Sequence, residues 1–192
     1  MAQTFTANQV LDCKGLACPM PIVRTKKAMD ALSPGDVIEM QATDAGSLAD
    51  IQGWARSTGH HYLGTLREGD VLKHFIRKAS AAESKEENPY SPEIGNETLE
   101  GVLDIGGKAI VLDVREPAEY GFRHIPGSIN IPLGDLERRV DELDPEAAYY
   151  VVCRTGRRSA LACVLLKEKG CSATNVVPGM SEWNGPAEQS ER

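Results

Sequence analysis

The sequence has no long apolar run. Its 192 residues contain no uninterrupted apolar stretch near the roughly eighteen residues that a membrane-spanning helix needs. The opening residues, Met-Ala-Gln-Thr-Phe-Thr-Ala, also lack the basic region and apolar core of a secretion signal. We therefore expect a cytoplasmic protein without a membrane partner.

An excess of positive charge is also missing. The chain has 21 Lys and Arg residues against 28 Asp and Glu residues, so its formal net charge is −7. A chain with this balance has no overall attraction for polyanions, and we expect no direct nucleic-acid partner. The hydrophobic and charged fractions of 41% and 26% indicate an ordinary globular chain of one or two domains.

Cysteine is too scarce, and odd in number, for a disulfide framework. The five cysteines are Cys13, Cys18, Cys153, Cys163 and Cys171. In a chain long enough to bury a core, this usage favours free thiols, some of them reactive.

The pattern for a metal site is weak. A Cys13–Cys18 disulfide, or a metal site that adds His60 and His61, is the alternative to free thiols. However, four residues separate the two cysteines, and adjacent histidines in a strand point to opposite faces. We predict no metal ion and no cofactor, and structural roles for both histidines.

The first 78 residues alternate between strand-like and helix-like patterns. The predicted strands are 9–13, 37–43, 62–66 and 71–77, and the predicted helices are 19–32 and 47–58. In the first helix, Ile22, Thr25, Met29 and Leu32 recur at helical spacing and form one buried face. The pattern predicts a domain over residues 1–78 that is a two-layer βαβαββ sandwich, with two helices on one face of a four-stranded sheet.

The next segment, residues 79–97, has the composition of a linker. It is acidic, contains two prolines and has few large apolar side chains, so it cannot bury enough surface to offset its ordering entropy. A flexible linker of these nineteen residues has a root-mean-square span of roughly 24 Å.

Residues 98–192 form a second set of alternating elements. The predicted strands are 109–114, 127–131, 149–153 and 175–177, and the predicted helices are 98–105, 133–140 and 158–169. This alternation indicates an α/β domain with a central, mostly parallel sheet and helices on both faces. Folds of this kind place ligands at the carboxyl ends of the strands.

A cysteine stands at one such strand end. Cys153 follows an apolar strand and opens a loop that continues through Arg154, Thr155, Gly156, Arg157 and Arg158 into a helix. Backbone N–H groups at the helix start, together with the arginines, favour a thiolate and lower a cysteine pKa from about 8.5 to roughly 3.5–7.5. This interpretation requires the Cys153 thiol to be reachable from solvent. The alternative is a buried strand-end cysteine beside a solvated basic turn.

A second cysteine precedes the first helix. Cys18 lies directly before Pro19, which suits the first turn of a helix because proline needs no hydrogen bond there. The positive end of the helix dipole again favours a thiolate, and the alternative is a buried capping cysteine.

Two motifs surround Cys18 along the chain: Asp12-x-x-Gly15-Leu16-x-Cys18-Pro19-x-Pro21 and Ala42-Thr43-Asp44-x-Gly46-Ser47-x-x-Asp50-Ile51. In these motifs, the stretch from residue 9 to about 78 resembles the TusA/SirA-like sulfur-carrier family. The resemblance implies that Cys18 carries a persulfide sulfur between protein partners. Ala45, where the family often has proline, and the additional Cys13 depart from the family pattern.

The second domain carries three further motifs. They are Leu112-Asp113-Val114-Arg115-Glu116-x-x-Glu119-Tyr120, the stretch from Gly121 to Pro132 that contains His124-Ile125-Pro126-Gly127-Ser128, and the Cys153 loop followed by Pro178-Gly179-Met180-Ser181-Glu182-Trp183. From about residue 92 onwards the chain is similar to a single rhodanese domain, which implies a rhodanese-like α/β fold. Pro178-Gly179 stands where that family usually has two glycines.

The resemblances imply a sulfurtransferase. Cys153 would take sulfane sulfur from thiosulfate or a low-molecular-weight persulfide, the loop residues 154–158 would stabilise the charge, and Cys18 would relay the sulfur to a thiol or to a protein of a sulfur relay. The sequence does not indicate an oligomeric state. We expect a structural ion pair between Asp113 and Arg115, and packing roles for Cys163 and Cys171.

Two other functions compete with this interpretation. One is a non-enzymatic sensor or carrier scaffold in which the cysteines register reactive sulfur. The other is a phosphatase-like enzyme, which the loop disfavours because related phosphatases have arginine six places after the cysteine, where this chain has Ser159. Arg158 could still bind an oxyanion.

Overall fold

The computed structural model describes residues 6–80, 92–106 and 109–190, and these fold as two compact units. The N-terminal unit lies within residues 6–80 and the C-terminal unit within residues 92–190. Most of the linker predicted for residues 79–97 falls in 81–91, outside the described residues. Within the described ranges, the longest helices have 12 residues, and none is long and apolar enough to cross a membrane.

The N-terminal unit has the predicted βαβαββ order. Its elements are β1 Gln9–Asp12, α1 Met20–Ala31, β2 Val37–Ala42, α2 Ser47–Thr58, β3 His61–Glu68 and β4 Val71–Arg77. The sheet order is β1-β2-β4-β3, in which β1 runs parallel to β2 and the other pairs are antiparallel. The structure therefore confirms the four-stranded sandwich expected from the sequence.

Helical periodicity explains how α1 and α2 cover this sheet. In α1 the buried residues Pro21, Thr25 and Met29 recur every four positions, so they form one stripe. In α2, Ile51 and Ala55 form the corresponding stripe. Both stripes join one apolar core with the sheet, whose central strands contribute Ile38, Met40 and Ile76. The two helices consequently lie on one face of the sheet, as predicted.

The C-terminal unit is built on a fully parallel five-stranded sheet with order β5-β9-β8-β6-β7. Its strands are β5 Glu93–Gly95, β6 Ile110–Asp113, β7 Ile129–Asn130, β8 Ala148–Val152 and β9 Ser172–Val177. Its helices are α3 Asn96–Asp104, α4 Pro117–Phe122, α5 Leu133–Arg139 and α6 Arg157–Glu168, with 3₁₀ turns at Val140–Glu142 and Gly179–Glu182.

Two of these elements depart from the sequence expectation. Strand β5 and the start of α3 lie in the stretch assigned to the linker, because β5 has only three residues and its register comes from pairing with β9. Helix α4 was not predicted. It begins at Pro117 with a capping box in which Glu116 and Glu119 satisfy each other's backbone N–H groups.

Both faces of the parallel sheet are covered by apolar side chains. Leu112 and Val151 point into one core cluster with Leu166 of α6, whereas their neighbours Val111 and Val152 point into another with Leu99 of α3. Because side chains alternate along a strand, this division shows helices packed on both faces, as predicted.

Candidate functional site

Cys153 lies at the carboxyl end of β8, where the chain leaves the sheet. Strand β8 ends at Val152, and helix α6 begins at Arg157 after a short loop. Gly156 closes this loop with a φ of 91°, and a Cβ on it would lie 2.5 Å from Cγ1 of Val177. Only glycine fits at this position, since both its conformation and its contact exclude a side chain.

The Cys153 sulfur accepts two hydrogen bonds. The Gly156 N–H donates at 3.1 Å, and the Ser159 hydroxyl donates at 3.3 Å from the first turn of α6. Donors aimed at a sulfur favour its anionic form, and a helix N-terminus adds a positive potential. No sequence pattern links Ser159 to the sulfur, because the contact depends on how the loop folds back onto the strand end.

Cys153 is more buried than the solvent-accessible thiol expected from the sequence. The residue is 1% exposed and belongs to the apolar cluster on one face of the sheet. The expectation of a thiol open to solvent is therefore wrong for this conformation. The cause is packing: the loop folds back over the strand end, so that Gly156 lies against β9 and Ser159 lies against the sulfur.

The three loop arginines have different environments. Arg154 is exposed and Arg157 is half-buried, whereas Arg158 is buried and donates two hydrogen bonds to Glu119, at 2.7 and 2.8 Å. Arg158 was expected among the charges around the sulfur, but its guanidinium forms this ion pair with Glu119 instead. The pairing leaves fewer Arg158 N–H groups for an oxyanion, which weakens the phosphatase alternative.

A second buried ion pair lies near the end of β6. Arg115 donates hydrogen bonds from Nε to both carboxylate oxygens of Asp113, at 2.9 and 3.0 Å, and Asp113 is fully buried. Arg115 also donates to the carbonyl of Arg123 at 2.7 Å. These contacts confirm the structural role predicted for the pair.

The turn after β9 holds the backbone of the Cys153 loop. The N–H groups of Met180 and Ser181 donate to the carbonyls of Cys153 and Arg154, at 2.8 and 2.9 Å. Gly179 has a φ of 79°, and a Cβ on it would lie 2.5 Å from the Cys153 carbonyl oxygen. The glycine in the Pro178-Gly179 pair is thus required by this close approach.

Cys18 is exposed and lies just before α1, as predicted. Its pKa is raised above the ordinary 9.0, mainly because the thiol forms a hydrogen bond with the Asp50 carboxylate, and the charge of Asp44 adds to the effect. This raised pKa opposes the expectation that the helix start favours a thiolate at Cys18. The two carboxylates favour the protonated thiol, and the sequence analysis quoted both only as parts of a motif.

The other three cysteines are buried. Burial raises the pKa of Cys13, and it raises the pKa of Cys163 to about 12. Cys171 is 6% exposed and packs in the same cluster as Cys163, which agrees with the packing roles predicted for both.

The two histidines considered for a metal site have protein partners. His60 accepts a hydrogen bond from the Ala79 N–H, and its ring lies 5.4 Å from the Trp54 ring. His61 bonds to Arg77 through Nδ1 at 3.2 Å. No group of three or more potential metal-ligating side chains occurs among residues 6–80, 92–106 and 109–190.

The fold and the two cysteines define a class of protein. A small unit presents an exposed cysteine before a helix, and a parallel α/β unit holds a second cysteine at the head of a strand–loop–helix. The family model described as Sulfurtransferase TusA matches residues 9–78, and the model described as Rhodanese-like domain matches residues 97–186. The chain therefore combines a TusA domain with one rhodanese-like domain.

One relative aligns with this chain along almost the whole length of both proteins. The chain is 50% identical over 184 residues to the protein named "Putative sulfur carrier protein YrkF" from Bacillus subtilis (strain 168), an alignment that covers 95% of this chain and 98% of that protein. The chain belongs to this family, in which a sulfur-carrier domain is fused to a rhodanese-like domain.

Other relatives match one domain at a time. Over 72 residues the chain is 40% identical to the sulfur carrier protein TusA of Allochromatium vinosum. This alignment covers 38% of this chain and 95% of that protein. The crystal structure of a rhodanese-related protein from Thermoplasma volcanium has 33% identity and a TM-score of 0.47, with 50% of this chain and 96% of that chain covered. The domains and the relatives' names support sulfur transfer as the general chemistry of this protein.

Proposed function

We propose that the protein takes sulfane sulfur onto Cys153 and relays it through Cys18 to an acceptor thiol. The observation that carries the proposal is the pair of donors, Gly156 N–H and Ser159 O–H, directed at the Cys153 sulfur at the start of α6. Such donors stabilise a sulfur anion both as the attacking thiolate and as the leaving group of the next step.

The first step is a thiol exchange at sulfur. The Cys153 thiolate attacks the outer sulfur of thiosulfate, a new S–S bond forms, and the original S–S bond breaks as sulfite leaves with the electron pair. A low-molecular-weight persulfide would react in the same way and release a thiolate. Because Cys153 is 1% exposed, the loop over residues 153–158 must shift outward to admit the donor.

The second step returns Cys153 to its starting state. An acceptor thiolate attacks the terminal sulfur of the Cys153 persulfide, and the Cys153 thiolate leaves. Cys18 is suited to this role because it is exposed and occupies the position of the carrier cysteine in the TusA-like motif. Its proton must be removed before it reacts, and Asp50 is the carboxylate in contact with it. The final acceptors are proteins of a sulfur relay, and the reaction belongs to the cytoplasm.

Sulfur loading tests the order of the relay. After incubation with thiosulfate, mass spectrometry of the wild type should find one added sulfur atom on the Cys153 peptide and on the Cys18 peptide. Cys153→Ser should lose both, because no donor then supplies Cys18, whereas Cys18→Ser should keep the sulfur on Cys153. If Cys153→Ser acquires sulfur on Cys18 at the wild-type rate, the proposed direction is wrong.

Turnover separates an enzyme from a stoichiometric sensor. With thiosulfate and cyanide, the wild type should form thiocyanate continuously, Cys153→Ala should form none, and Cys18→Ala should retain most of the rate. Cys171→Ala is the matched control, because it removes a buried thiol outside the loop and should leave turnover unchanged. A wild type that releases no thiocyanate would contradict the enzymatic function.

A further inference from the structure

Asn96 forms a two-way hydrogen bond with the turn that follows β9. Its side-chain N–H donates to the Gly179 carbonyl at 2.9 Å, and its side-chain oxygen accepts from the Gly179 N–H at 3.2 Å. Asn96 is the first residue of α3 and is partly buried, and 83 positions separate it from its partner. The side-chain amide thus binds both backbone groups of Gly179, as the backbone of a paired strand would.

The same turn contacts the Cys153 loop on its other side. Met180 and Ser181, the two residues after Gly179, donate their N–H groups to the carbonyls of Cys153 and Arg154. Gly179 itself lies so close to the Cys153 carbonyl that a methyl group would not fit between them. Asn96, the turn and the loop therefore form one continuous chain of hydrogen bonds.

The bonds to the Cys153 and Arg154 carbonyls also set the direction of the N–H groups that follow them, on Arg154 and Thr155. In a planar trans peptide the C=O and the following N–H point in opposite directions. The described cis bonds are Cys18–Pro19 and Val177–Pro178, so both peptides of the loop in question are trans. With the carbonyls of Cys153 and Arg154 held by the turn, the N–H groups of Arg154 and Thr155 point away from the turn.

We propose that Asn96 is a positioning residue for the sulfur-binding loop: by holding Gly179 it keeps the Arg154 and Thr155 N–H groups directed away from the turn, where they stabilise the terminal sulfur of a Cys153 persulfide. The inference rests on the proposed function of Cys153. Asn96 itself touches neither the sulfur nor the substrate. Its effect passes through Gly179 and the two carbonyls.

Two variants remove this contact in different ways. Asn96→Ala removes both hydrogen bonds, and Asn96→Asp keeps the side-chain size and the acceptor but places an oxygen against the Gly179 carbonyl. Asn184→Ala is the control, because Asn184 is an exposed asparagine of the same unit. Each full-length variant is studied well below its own melting temperature. If Asn96→Ala does not fold, the measurements on Asn96→Asp test the positioning role of Asn96.

The first measurement is the equilibrium occupancy of the Cys153 persulfide at a fixed ratio of thiosulfate to sulfite. We expect the ratio of loaded to unloaded Cys153 to fall about tenfold in both Asn96 variants, less than the roughly hundredfold rate loss that follows direct removal of an oxyanion donor. In thiocyanate formation, kcat should fall while KM for thiosulfate stays within about twofold, because the interaction acts on the intermediate.

The second measurement is hydrogen exchange of the peptide that covers residues 153–156. It should quicken about tenfold in the Asn96 variants and remain unchanged in Asn184→Ala, since the loop has lost its support. A lower melting temperature with unchanged persulfide occupancy and unchanged loop exchange would overturn the proposal and leave Asn96 a structural residue. If the wild type never loads sulfur, the proposed function fails, while loop exchange still decides whether Asn96 holds the loop.

Discussion

Asp50 is the largest contributor to the raised pKa of the Cys18 thiol. Its hydrogen bond raises the pKa of Cys18 above 9.0, and only a thiolate attacks sulfur or carbon electrophiles. The alkylation rate of Cys18 in the wild type should therefore continue to rise with pH beyond 9.0. Asp50→Asn removes the negative charge, so we predict a lower pKa and severalfold faster alkylation of the Cys18 peptide at neutral pH.

Asp30→Asn provides the matched control for this measurement. Asp30 is an exposed carboxylate on α1 that does not contribute to the shift at Cys18, so its loss should leave the alkylation profile in place. Identical pH profiles for Asp50→Asn and the wild type would show that Asp50 does not control the thiol.

The individual site residues were predictable to different degrees. The places of Cys18 and Cys153 in the fold were predictable, because each lies in a local pattern, a proline-led helix start or a strand followed by a glycine and arginine turn. Their partners were not found, because no local pattern marks them. Glu119 lies 39 positions from Arg158, and Asn96 lies 83 positions from Gly179, so only the folded chain brings each pair together.

At the scale of elements, the Glu119–Arg158 pair joins α4 to α6. Both side chains are buried, so removing one partner leaves an uncompensated charge, which typically costs about 3–5 kcal/mol. We predict that Glu119→Ala lowers the free energy of unfolding of the C-terminal unit by about 3 kcal/mol. Urea denaturation followed by Trp183 fluorescence, in a Trp54→Phe background, measures this unit separately.

Glu142→Ala is the surface counterpart of this variant. It breaks the pair with Arg139, which lies within one turn and is partly solvent-exposed, so the loss should stay below about 1 kcal/mol. Equal losses in the two variants would contradict a special contribution from the buried pair.

Long elements were predicted more accurately than short ones. The bounds of α2 and β4 agree with the sequence prediction, because a stripe of buried residues marks the helix and a seven-residue run rich in apolar side chains marks the strand. Helix α4, with six residues, and β5, with three, leave too few positions for a period to emerge. The register of β5 comes from its pairing with β9, and the start of α4 is set by the Glu116–Glu119 capping box.

At the scale of the whole molecule, covalent fusion of two thiol-bearing domains would make the proposed relay intramolecular. Tethering by a short linker gives an effective concentration of order mM. We predict that transfer from Cys153 to Cys18 in the wild type proceeds at a rate independent of protein concentration. A mixture of Cys18→Ser and Cys153→Ser chains must transfer between molecules, so at about 10 µM protein its rate should be about a hundredfold lower.

Dilution checks this prediction directly. The rate in the mixture should fall in proportion to concentration, whereas the rate in the wild type should not change. A wild-type rate that falls with dilution would mean that sulfur passes between chains and that fusion serves another purpose.

The unequal exposure of the two thiols also bears on how long a bound sulfur survives. On Cys153, at 1% exposure, a persulfide would be shielded from thiol reductants and oxidants, which must first displace the surrounding loop. On Cys18, which faces solvent, the same group would be lost to the first reductant that arrives. Under the proposed function, sulfur would thus survive longer on the C-terminal unit than on Cys18.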